Sequence, residues 1–366
     1  IIKNILAVLQ GIMNQAKSNK KDLKNMSLGE IENLISSQGK EKYRARQIMK
    51  WLYQNGAASF DEMTNISKGV RDLLERRARI DHLEKVEIQA SSDGTRKFLF
   101  GLHDGHHIET VLIPERDHDT LCVSSQVGCA MGCRFCVTAK QGLKRDMTPA
   151  EIVDQVIQVR RSMTDPDRLT NIVFMGMGEP LANYGAVVKA INNIVSEDGM
   201  NFSHRRVTLS TCGLVARIPD LGRDVTVNLA VSLNAANNET RDYLMPVNRV
   251  HPMEELIRAC KAFPLPNRRM ITFEYILIQG VNDREEDALK LAELLKGIRA
   301  KINLIPFNPH PSLDLVPASL EDIHRFQDIL IAHQYTAMIR KSKGRDISAA
   351  CGQLSGSYLR SSDGPK

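Results

Sequence analysis

Three cysteines lie within eight residues of one another. Cys129, Cys133 and Cys136 are separated by three and then by two other residues. Thiolates at this spacing in a tight loop can each ligate one iron of a single four-iron cluster, which usually takes four cysteines. With only three, the fourth iron stays open to a small chelating molecule, and the amino and carboxylate groups of S-adenosylmethionine suit that role. The spacing therefore predicts an iron–sulfur centre that binds a small molecule.

Two other interpretations of these cysteines compete with the cluster. Cys122 precedes the triad by seven residues and would complete a structural four-cysteine zinc site, although the ligands of such sites usually come as two separated pairs. Alternatively the thiols are buried and unreactive, but the segment around them is rich in glycine and polar residues. The total of seven cysteines is odd and does not suit a disulfide scaffold. In a reducing compartment such a group indicates metal binding or catalysis.

Composition limits the class of protein. A chain of 366 residues with 42% hydrophobic content can bury a large domain and a small one. Its net charge of +6 is compatible with a polyanionic partner but does not point to one by itself. No apolar run approaches the length of a membrane span. Residues 1–13 lack the charged leader and cleavage site of a secretory signal, so we expect a cytoplasmic protein with no membrane contact.

The elements that must position the cysteines alternate between strand and helix beyond residue 120. Such repeats indicate a parallel sheet with right-handed crossovers. About six complete units are present, too few for the eight of a closed barrel, so the predicted fold is α/β with a partial (β/α)6 TIM-like barrel. Function then gathers at the carboxyl ends of the strands, where the cysteine loop begins. The predicted strands are 121–125, 171–175, 206–210, 226–233, 270–278, 301–306 and 335–339, and the predicted helices are 149–163, 184–195, 253–263, 284–295 and 320–332.

Two smaller regions precede the barrel. Helical periodicity over 28–37, 43–53 and 67–79 predicts a small helical domain, and Ser27 with Glu30 forms its first capping box. A period of two over 86–88, 97–100 and 108–113 then predicts antiparallel strands joined by hairpin turns. We expect an N-terminal extension at 1–26, a helical accessory domain at 27–81, a short antiparallel β linker at 82–116, the barrel at 117–345 and a C-terminal tail at 346–366.

The cysteine spacing after the first barrel strand resembles the radical S-adenosylmethionine superfamily. Other segments narrow the resemblance to the RlmN branch of the RNA adenine methyltransferases, over residues 43–354. These segments are CVSSQVGC at 122–129, GMGEP at 176–180, RVTLST at 206–211, KINLIP at 301–306 and AACGQL at 349–354.

This resemblance implies methylation of C2 of an adenosine in 23S ribosomal RNA and in transfer RNA. It further implies one 4Fe–4S cluster and two molecules of S-adenosylmethionine per turnover, with an external electron donor such as flavodoxin. The sister Cfr branch methylates C8 and has Gly-Glu-Ala where this chain has Gly178-Glu179-Pro180. The C8-specific enzyme is therefore the alternative, and in either case we expect a monomer.

The resemblance also implies roles for three residues outside the triad. Cys351, in the tail, would receive a methyl group from one S-adenosylmethionine, and a radical formed on that methyl group would add to the adenine. Glu109 would accept the proton of the ring carbon. Cys122 would then release the RNA by forming a transient disulfide with Cys351. Without the resemblance, Cys351 could equally be a small buried residue or a mobile reactive one in a short tail, and Glu109 would be an outward-facing strand carboxylate.

Polar residues that end the later strands are the expected cofactor contacts. Because this chain has Asn234 where the family commonly has histidine, a proton-transfer role there is in doubt, although a hydrogen bond remains possible. Clustered cations are the candidate RNA contacts, with solvated surface charge as the alternative. The predicted cofactor contacts are Gly178, Glu179, Ser210, Ser232, Leu233, Asn234 and Asn308, and the candidate RNA contacts are Lys140, Lys144, Arg145, Arg205, Arg206, Arg340, Lys341, Lys343 and Arg345.

Overall fold

The computed structural model describes residues 20–356 of the chain. Residues 1–19 of the predicted N-terminal extension and residues 357–366 of the predicted tail lie outside the described residues. None of the helices between residues 20 and 356 is long and apolar enough to cross a membrane.

Three helices and a pair of two-residue strands form the N-terminal part. Ser27 starts the first helix by accepting a hydrogen bond from the Glu30 amide, and the Glu30 carboxylate accepts one from the Ser27 amide. Each helix buries an apolar stripe, as its period of 3.6 residues predicts. The elements are β1 (Lys21–Asp22), α1 (Leu28–Ser36), α2 (Tyr43–Tyr53), α3 (Lys68–Arg77) and β2 (Ala78–Arg79).

The antiparallel region continues the main sheet. Its strands are β3 (Glu84–Ala90), β4 (Arg96–Gly101) and β5 (His107–Pro114). They form a meander, and β5 pairs antiparallel with β6 (Asp119–Cys122), the first strand of the barrel. The sheet therefore gives β5 a neighbour on each side, so its side chains are enclosed by the fold.

Alternating strands and helices follow β6, and the prediction of a partial (β/α)6 barrel is confirmed. Six strand–helix units and a final strand build seven parallel strands in the order β6, β9, β10, β11, β12, β13, β14. Strands β3 and β14 are the two edges of this ten-stranded sheet and do not pair with each other, so within residues 20–356 the barrel is open. The remaining elements are β7 (Gln126–Val127), α4 (Val137–Lys140), β8 (Arg145–Asp146), α5 (Pro149–Arg161), β9 (Leu169–Phe174), α6 (Tyr184–Val195), β10 (Val207–Thr211), α7 (Ile218–Asp224), β11 (Asn228–Ser232), α8 (Asn238–Leu244), α9 (Met253–Ala262), β12 (Ile271–Leu277), α10 (Glu285–Leu294), β13 (Ala300–Pro306), α11 (Leu320–Ala332) and β14 (Thr336–Ile339).

One apolar core runs from the N-terminal helices through the barrel. The parallel strands are mostly apolar because both of their faces are covered. A second, smaller apolar cluster lies under the cysteine loop and includes Phe135, Val137, Leu244 and Phe307. The loop that carries the cysteines is thus packed against its own hydrophobic support.

A buried charged network joins the N-terminal part to α5. The Lys24 ammonium lies 2.5 Å from Asp154 Oδ1 and also donates to the Asp81 carbonyl. His82 Nδ1 lies 3.2 Å from the same carboxylate oxygen, and the Leu83 amide donates to Asp154 Oδ2 at 2.6 Å. We call Lys24, His82 and Asp154 the junction network. Residues 20–26 therefore pack against the barrel, although they were predicted to belong to the extension.

Candidate active site

The cysteine loop leaves the carboxyl end of β6, as predicted. Cys129 is buried, Cys133 and Cys136 are half-buried, and all three are free thiols. The Cys129 amide donates to Gly142 O at 3.3 Å, and the Cys136 amide donates to Cys133 O at 3.2 Å. Among the described residues no three side chains converge as on a single metal ion. A cubane does not require that convergence, since each cysteine binds a different iron.

Burial controls the chemistry of these thiols. It raises the pKa of Cys129 to about 11, and burial with the neighbouring thiols raises the pKa of Cys133 well above its ordinary value. The thiols are therefore protonated near neutral pH until a metal displaces their protons. Such coupling suits a buried cluster site that forms only with iron.

Glu179 lies on the turn after β9, beside the cysteine loop. Its carboxylate accepts hydrogen bonds from the Leu181 amide at 3.0 Å, the Thr211 hydroxyl at 2.8 Å and the Cys212 amide at 2.8 Å. A carboxylate accepts about four hydrogen bonds, and the Cys212 thiol is a further, weak donor to Glu179, so a ligand ammonium would take the place of that thiol. Burial raises the pKa of Glu179, although the donated hydrogen bonds oppose the shift.

Gly178 supports this turn by a close backbone approach. Its φ is +99°, and a Cβ atom there would lie 2.5 Å from Gln126 Cβ. The turn after β9 therefore packs directly against the chain that follows β6. We expected the glycine to admit a ligand, and the structure shows that it admits a neighbouring segment of the protein.

A buried carboxylate connects two predicted cofactor contacts. Glu274 Oε2 on β12 accepts from the Ser210 hydroxyl at 2.6 Å and from the Ser232 hydroxyl at 3.1 Å. With their protons directed at Glu274, both hydroxyls present lone pairs to any other partner. Burial raises the pKa of Glu274. The same strand ends therefore combine an acidic group with two oriented acceptors.

Asn234, by contrast, already has protein partners. It is buried at a φ of +55°, its Oδ1 accepts from the Ile276 amide at 2.9 Å, and its Nδ2 lies 3.3 Å from Met245 Sδ. Leu233 beside it is fully buried. The side chain of Asn234 thus fastens the end of β11 to β12 and leaves little of its amide for a cofactor.

Asn308 connects the barrel to the tail. Its Nδ2 donates to the Cys351 carbonyl at 3.2 Å, whereas its buried Oδ1 has no hydrogen-bond partner within residues 20–356. An orphaned buried acceptor is costly unless a donor reaches it. This acceptor makes the strand ends fit a ligand that carries donor groups, as S-adenosylmethionine does.

The tail brings Cys351 next to the cysteine loop. Gly352 O accepts from the Val137 amide at 2.7 Å, and Leu354 O accepts from the Thr138 hydroxyl at 2.6 Å. The Cys351 side chain is exposed, yet surrounding protein raises its pKa to about 11, with Glu274 acting in the same direction and Arg340 opposing it. Solvent therefore reaches a thiol that protein encloses on several sides.

Cys122 shares this neighbourhood. It is buried at the end of β6, and burial followed by the influence of Cys351 raises the pKa of its thiol. Glu274 contributes to the shift at both thiols. Two cysteines that lie 229 positions apart in the sequence are thus brought to one carboxylate.

Glu109 is enclosed, and its interpretation as an outward-facing strand carboxylate is wrong. Only 3% of the residue is exposed, because β5 lies inside the sheet and the tail covers it. Its Oε1 lies 3.1 Å from the Lys97 ammonium. Its Oε2 accepts from the Ser355 amide at 2.7 Å and the Gly356 amide at 3.0 Å. In this conformation both oxygens are occupied by the protein.

Left-handed residues recur along the tail. Gly344, Ser348, Gly352 and Gly356 have φ values of +63°, +50°, +83° and +59°. They stand four residues apart, so the chain reverses its course repeatedly between β14 and Gly356. Ser348 adopts this conformation without the freedom of glycine, which costs conformational energy. The tail is consequently a series of tight turns beside the site.

The predicted RNA-contact cations fall into three groups. The first group follows β14 at the carboxyl ends of the parallel strands, where the cysteines also lie, and consists of Arg340, Lys341, Lys343 and Arg345. Lys140 and Lys144 are exposed near the loop, whereas Arg145 is held by Glu151 at 2.8 Å and by Asp104. The third group, Arg205 and Arg206, precedes β10 and therefore lies at the amino ends of the parallel strands. The structure therefore does not bring Arg205 and Arg206 to the cysteine loop.

Sequence reasoning overlooked three charged residues here, Glu274, Lys97 and Arg241. Each is at most 9% exposed, and Glu274 and Lys97 stand in strands whose neighbours are apolar. A charged residue inside such a run rarely becomes buried without a partner. A charged residue within an apolar strand was therefore the sequence signal that could have identified Glu274 and Lys97 as site residues.

Comparisons with known proteins agree with this architecture. The family model described as "Ribosomal RNA large subunit methyltransferase N-terminal domain" matches residues 21–80, and the Radical SAM superfamily matches residues 123–292. The crystal structure of a radical SAM methyltransferase from Sphaerobacter thermophilus is 46% identical. It superposes with a TM-score of 0.87 over 92% of this chain and 100% of that one. Fold and site together define a radical S-adenosylmethionine protein.

Curated relatives identify the branch. A dual-specificity RNA methyltransferase RlmN from Desulfosudis oleivorans is 54% identical over 95% of this chain and 94% of its own length. One from Syntrophus aciditrophicus is 55% identical over 93% of this chain and 98% of its own. The chain belongs to the RlmN family of radical S-adenosylmethionine RNA methyltransferases, and the predicted resemblance is confirmed.

Proposed function

We propose that this enzyme methylates C2 of adenosine in 23S ribosomal RNA and transfer RNA, with Cys351 as the methyl carrier. The observation that carries the proposal is the convergence of Cys351, Cys122 and Glu274 beside the cysteine loop. Relatives that are more than 50% identical are named dual-specificity RNA methyltransferases. The Gly178-Glu179-Pro180 pattern favours C2 over C8.

The chain offers residues for both cofactors. Cys129, Cys133 and Cys136 would hold the 4Fe–4S cluster, which supplies the electron that cleaves bound S-adenosylmethionine. Glu179 would accept from its ammonium group, and Asn308 Oδ1 would accept from a donor that it now lacks. Ser210 and Ser232 would accept from hydroxyl groups of the ligand, because Glu274 orients their protons away from it.

The two catalytic cysteines have successive tasks. Cys351 must become a thiolate to take a methyl group by displacement, and the nearby Arg340 charge favours that form. After the methyl carbon has bonded to the adenine, the Cys122 sulfur attacks the Cys351 sulfur. A disulfide forms as the bond between Cys351 and the RNA-linked carbon breaks, and the electron pair of that bond leaves with the carbon. The C2 proton is lost, and the carbon takes up a proton to become the methyl group.

Glu109 would hold the proton that leaves C2. The tail amides of Ser355 and Gly356 now occupy its Oε2. The end of the tail must therefore move off Glu109 before that oxygen can accept a proton from RNA.

The remaining expectations complete the proposal. Two molecules of S-adenosylmethionine are used per turnover, an external donor such as flavodoxin supplies electrons, and the enzyme acts as a cytoplasmic monomer. The exposed cations after β14, with Lys140 and Lys144, would contact RNA phosphates. Arg145 would contribute less, since its charge is already paired.

Trapping the covalent adduct tests the proposal. In Cys122→Ala the release step is blocked, so RNA should stay bonded to Cys351 and migrate with the protein on a denaturing gel. Cys260→Ala removes a buried cysteine of α9 and is the matched control, which should release RNA normally. Cys122→Ala combined with Cys351→Ala should give no adduct. An adduct in that double variant, or none in Cys122→Ala, would contradict the assigned roles.

The position of methylation separates the two branches. Nucleosides from RNA treated with the loaded enzyme should contain 2-methyladenosine by mass spectrometry against both standards. Finding 8-methyladenosine instead would replace the proposed specificity with that of the Cfr branch.

A further inference from the structure

Arg241 is a buried cation that has no carboxylate partner. It lies on α8 with 0% of its surface exposed and is the largest fully buried side chain between residues 20 and 356. Its guanidinium donates to Leu233 O at 3.1 Å, Asn248 Oδ1 at 2.9 Å and Cys212 O at 2.7 Å. All of these acceptors are neutral. The described residues provide no ion pair for Arg241.

Such an arrangement is costly in the protein alone. Moving a charge out of water is strongly unfavourable unless an opposite charge compensates it, and neutral hydrogen bonds return only part of the loss. Burial accordingly lowers the pKa of Arg241. The guanidinium stays charged at any ordinary pH, and Asp242, which is linked to it through Asn248, compensates that charge only in part. The remaining compensation falls to an anion that binds nearby.

The position of Arg241 indicates which anion that is. Arg241 binds the Cys212 carbonyl, and the Cys212 amide binds Glu179. Its helix also supports the cysteine loop, since the Arg134 amide donates to Leu244 O at 3.0 Å. The cysteine loop is hydrogen-bonded to the helix that carries Arg241, so it is a place beside this cation where the negative charge of a ligand can gather.

We propose that Arg241 is the charge-compensating residue of the iron–sulfur cluster. Three thiolates outweigh the charge of an oxidised four-iron core by one, and one-electron reduction adds a second negative charge. A fixed cation in a low-dielectric site stabilises the reduced state more than the oxidised one, so it raises the reduction potential. The inference rests on the proposed cluster site at Cys129, Cys133 and Cys136. It adds a role for a residue that binds no iron.

Two substitutions separate charge from hydrogen bonding. Arg241→Gln removes the charge and keeps a hydrogen-bonding amide, whereas Arg241→Lys keeps the charge and loses the planar fork. Full-length protein is loaded with iron and sulfide without oxygen, and the reduced cluster is followed by electron paramagnetic resonance during a redox titration. Arg223→Gln, at an exposed site on α7, is the control for a lost surface charge.

If the charge of Arg241 stabilises the reduced cluster, the reduction potentials of the variants should follow a definite order. Arg241→Gln should lower the equilibrium constant for reduction by about tenfold, which is about 59 mV for a one-electron couple. Arg241→Lys should stay within about threefold of the parent protein, and Arg223→Gln should not differ from it. Equal potentials in Arg241→Gln and the parent protein would overturn the inference. So would a shift in Arg241→Lys as large as that in Arg241→Gln.

Cluster content keeps the test decisive if Arg241→Gln fails to load. In that case Arg241→Lys with normal iron content and a normal potential supports the charge account. If Arg241→Lys also fails to bind iron, the hydrogen-bond fork is what the loop needs, and the inference is wrong. An unsubstituted protein without iron would instead contradict the proposed function, so the two failures are distinguishable.

Discussion

Buried charges in two regions of this protein are neutralised in different ways. In the junction network, Lys24 and His82 both meet the Asp154 carboxylate within 3.2 Å. At the carboxyl ends of the parallel strands, Glu179 and Glu274 meet hydroxyls and amides, and Arg241 meets carbonyls. The junction network is electrostatically complete in the folded chain. The charges of Glu179, Glu274 and Arg241 are not balanced in this way, as expected of a site that binds charged ligands.

Breaking the junction network should have the largest effect on stability. In Asp154→Asn, Lys24 becomes a buried charge without a partner, which costs about 3–5 kcal/mol of unfolding free energy. Denaturant unfolding of the cluster-free protein measures this loss. Asp167→Asn is the control, because its pair with Arg160 is 4.0 Å long and 96% of the Asp167 side chain is exposed. A loss no greater than that of the control would mean that the network is not a structural one.

The same type of substitution at the strand ends should act in the opposite direction. Glu274→Gln replaces a carboxylate that is buried among neutral hydrogen-bond donors with a neutral group of the same shape, so the cluster-free protein should keep or gain stability. The loaded enzyme should bind S-adenosylmethionine about tenfold more weakly, or about 1.4 kcal/mol, because Ser210 and Ser232 lose the carboxylate that orients their hydroxyls. Anaerobic calorimetry measures the affinity.

Glu285→Gln is the matched control for Glu274→Gln, since Glu285 is exposed on α10 and pairs with Arg325 at 3.5 Å. Glu285→Gln should change neither the stability of the cluster-free protein nor the affinity of the loaded enzyme for S-adenosylmethionine. A stability loss in Glu274→Gln like that in Asp154→Asn would remove the distinction between the two regions.

The pH dependence of stability should show the same contrast on a smaller scale. Burial raises the folded pKa of Glu274 above 4.5, against the influence of Ser210, Ser232 and Arg340. Its contribution to stability is therefore complete below pH 4.5 and is lost as pH rises through the folded pKa. Burial also acts to raise the pKa of Asp154, but His82 and Lys24 outweigh it and lower the value below 3.8. That contribution is present above pH 3.8 and is lost as pH falls.

Unfolding of the cluster-free protein and both variants, measured from pH 3.5 to 7.5, checks these signs. The advantage of Glu274→Gln over the parent protein should grow as pH rises. The deficit of Asp154→Asn should shrink as pH falls below 4. Parallel curves for all three proteins would mean that neither carboxyl has the environment described.

The sequence was sufficient for the elements whose patterns are local. All seven barrel strands lie within three residues of their predicted ends, because each is an apolar run between polar turns. The helices α4, α7 and α8 were missed. They have four to seven residues each and too few turns to display a periodic apolar face.

Prediction was weaker wherever a side chain depends on a distant segment. The alternation of apolar and polar residues along its strand predicted that Glu109 faces outward. In the structure it is buried by a tail that lies 246 positions further along the chain. The cysteine spacing indicated a cluster because its ligands are neighbours in sequence. Glu274 and Arg241 have no such local signature, since only the packing of several strand ends makes their charges unusual.

The recurrent left-handed turns of the tail determine how far Cys351 can travel. The seven peptide units from Gly344 to Cys351 span at most about 25 Å when extended, at about 3.6 Å per residue. Folded into tight turns, the same segment holds the thiol beside Cys122. The tail can therefore lengthen by opening turns at Gly344 and Ser348 while the strands stay in place. The strands stay fixed, and the length of tail that these turns release would set how far Cys351, the proposed methyl carrier, can move.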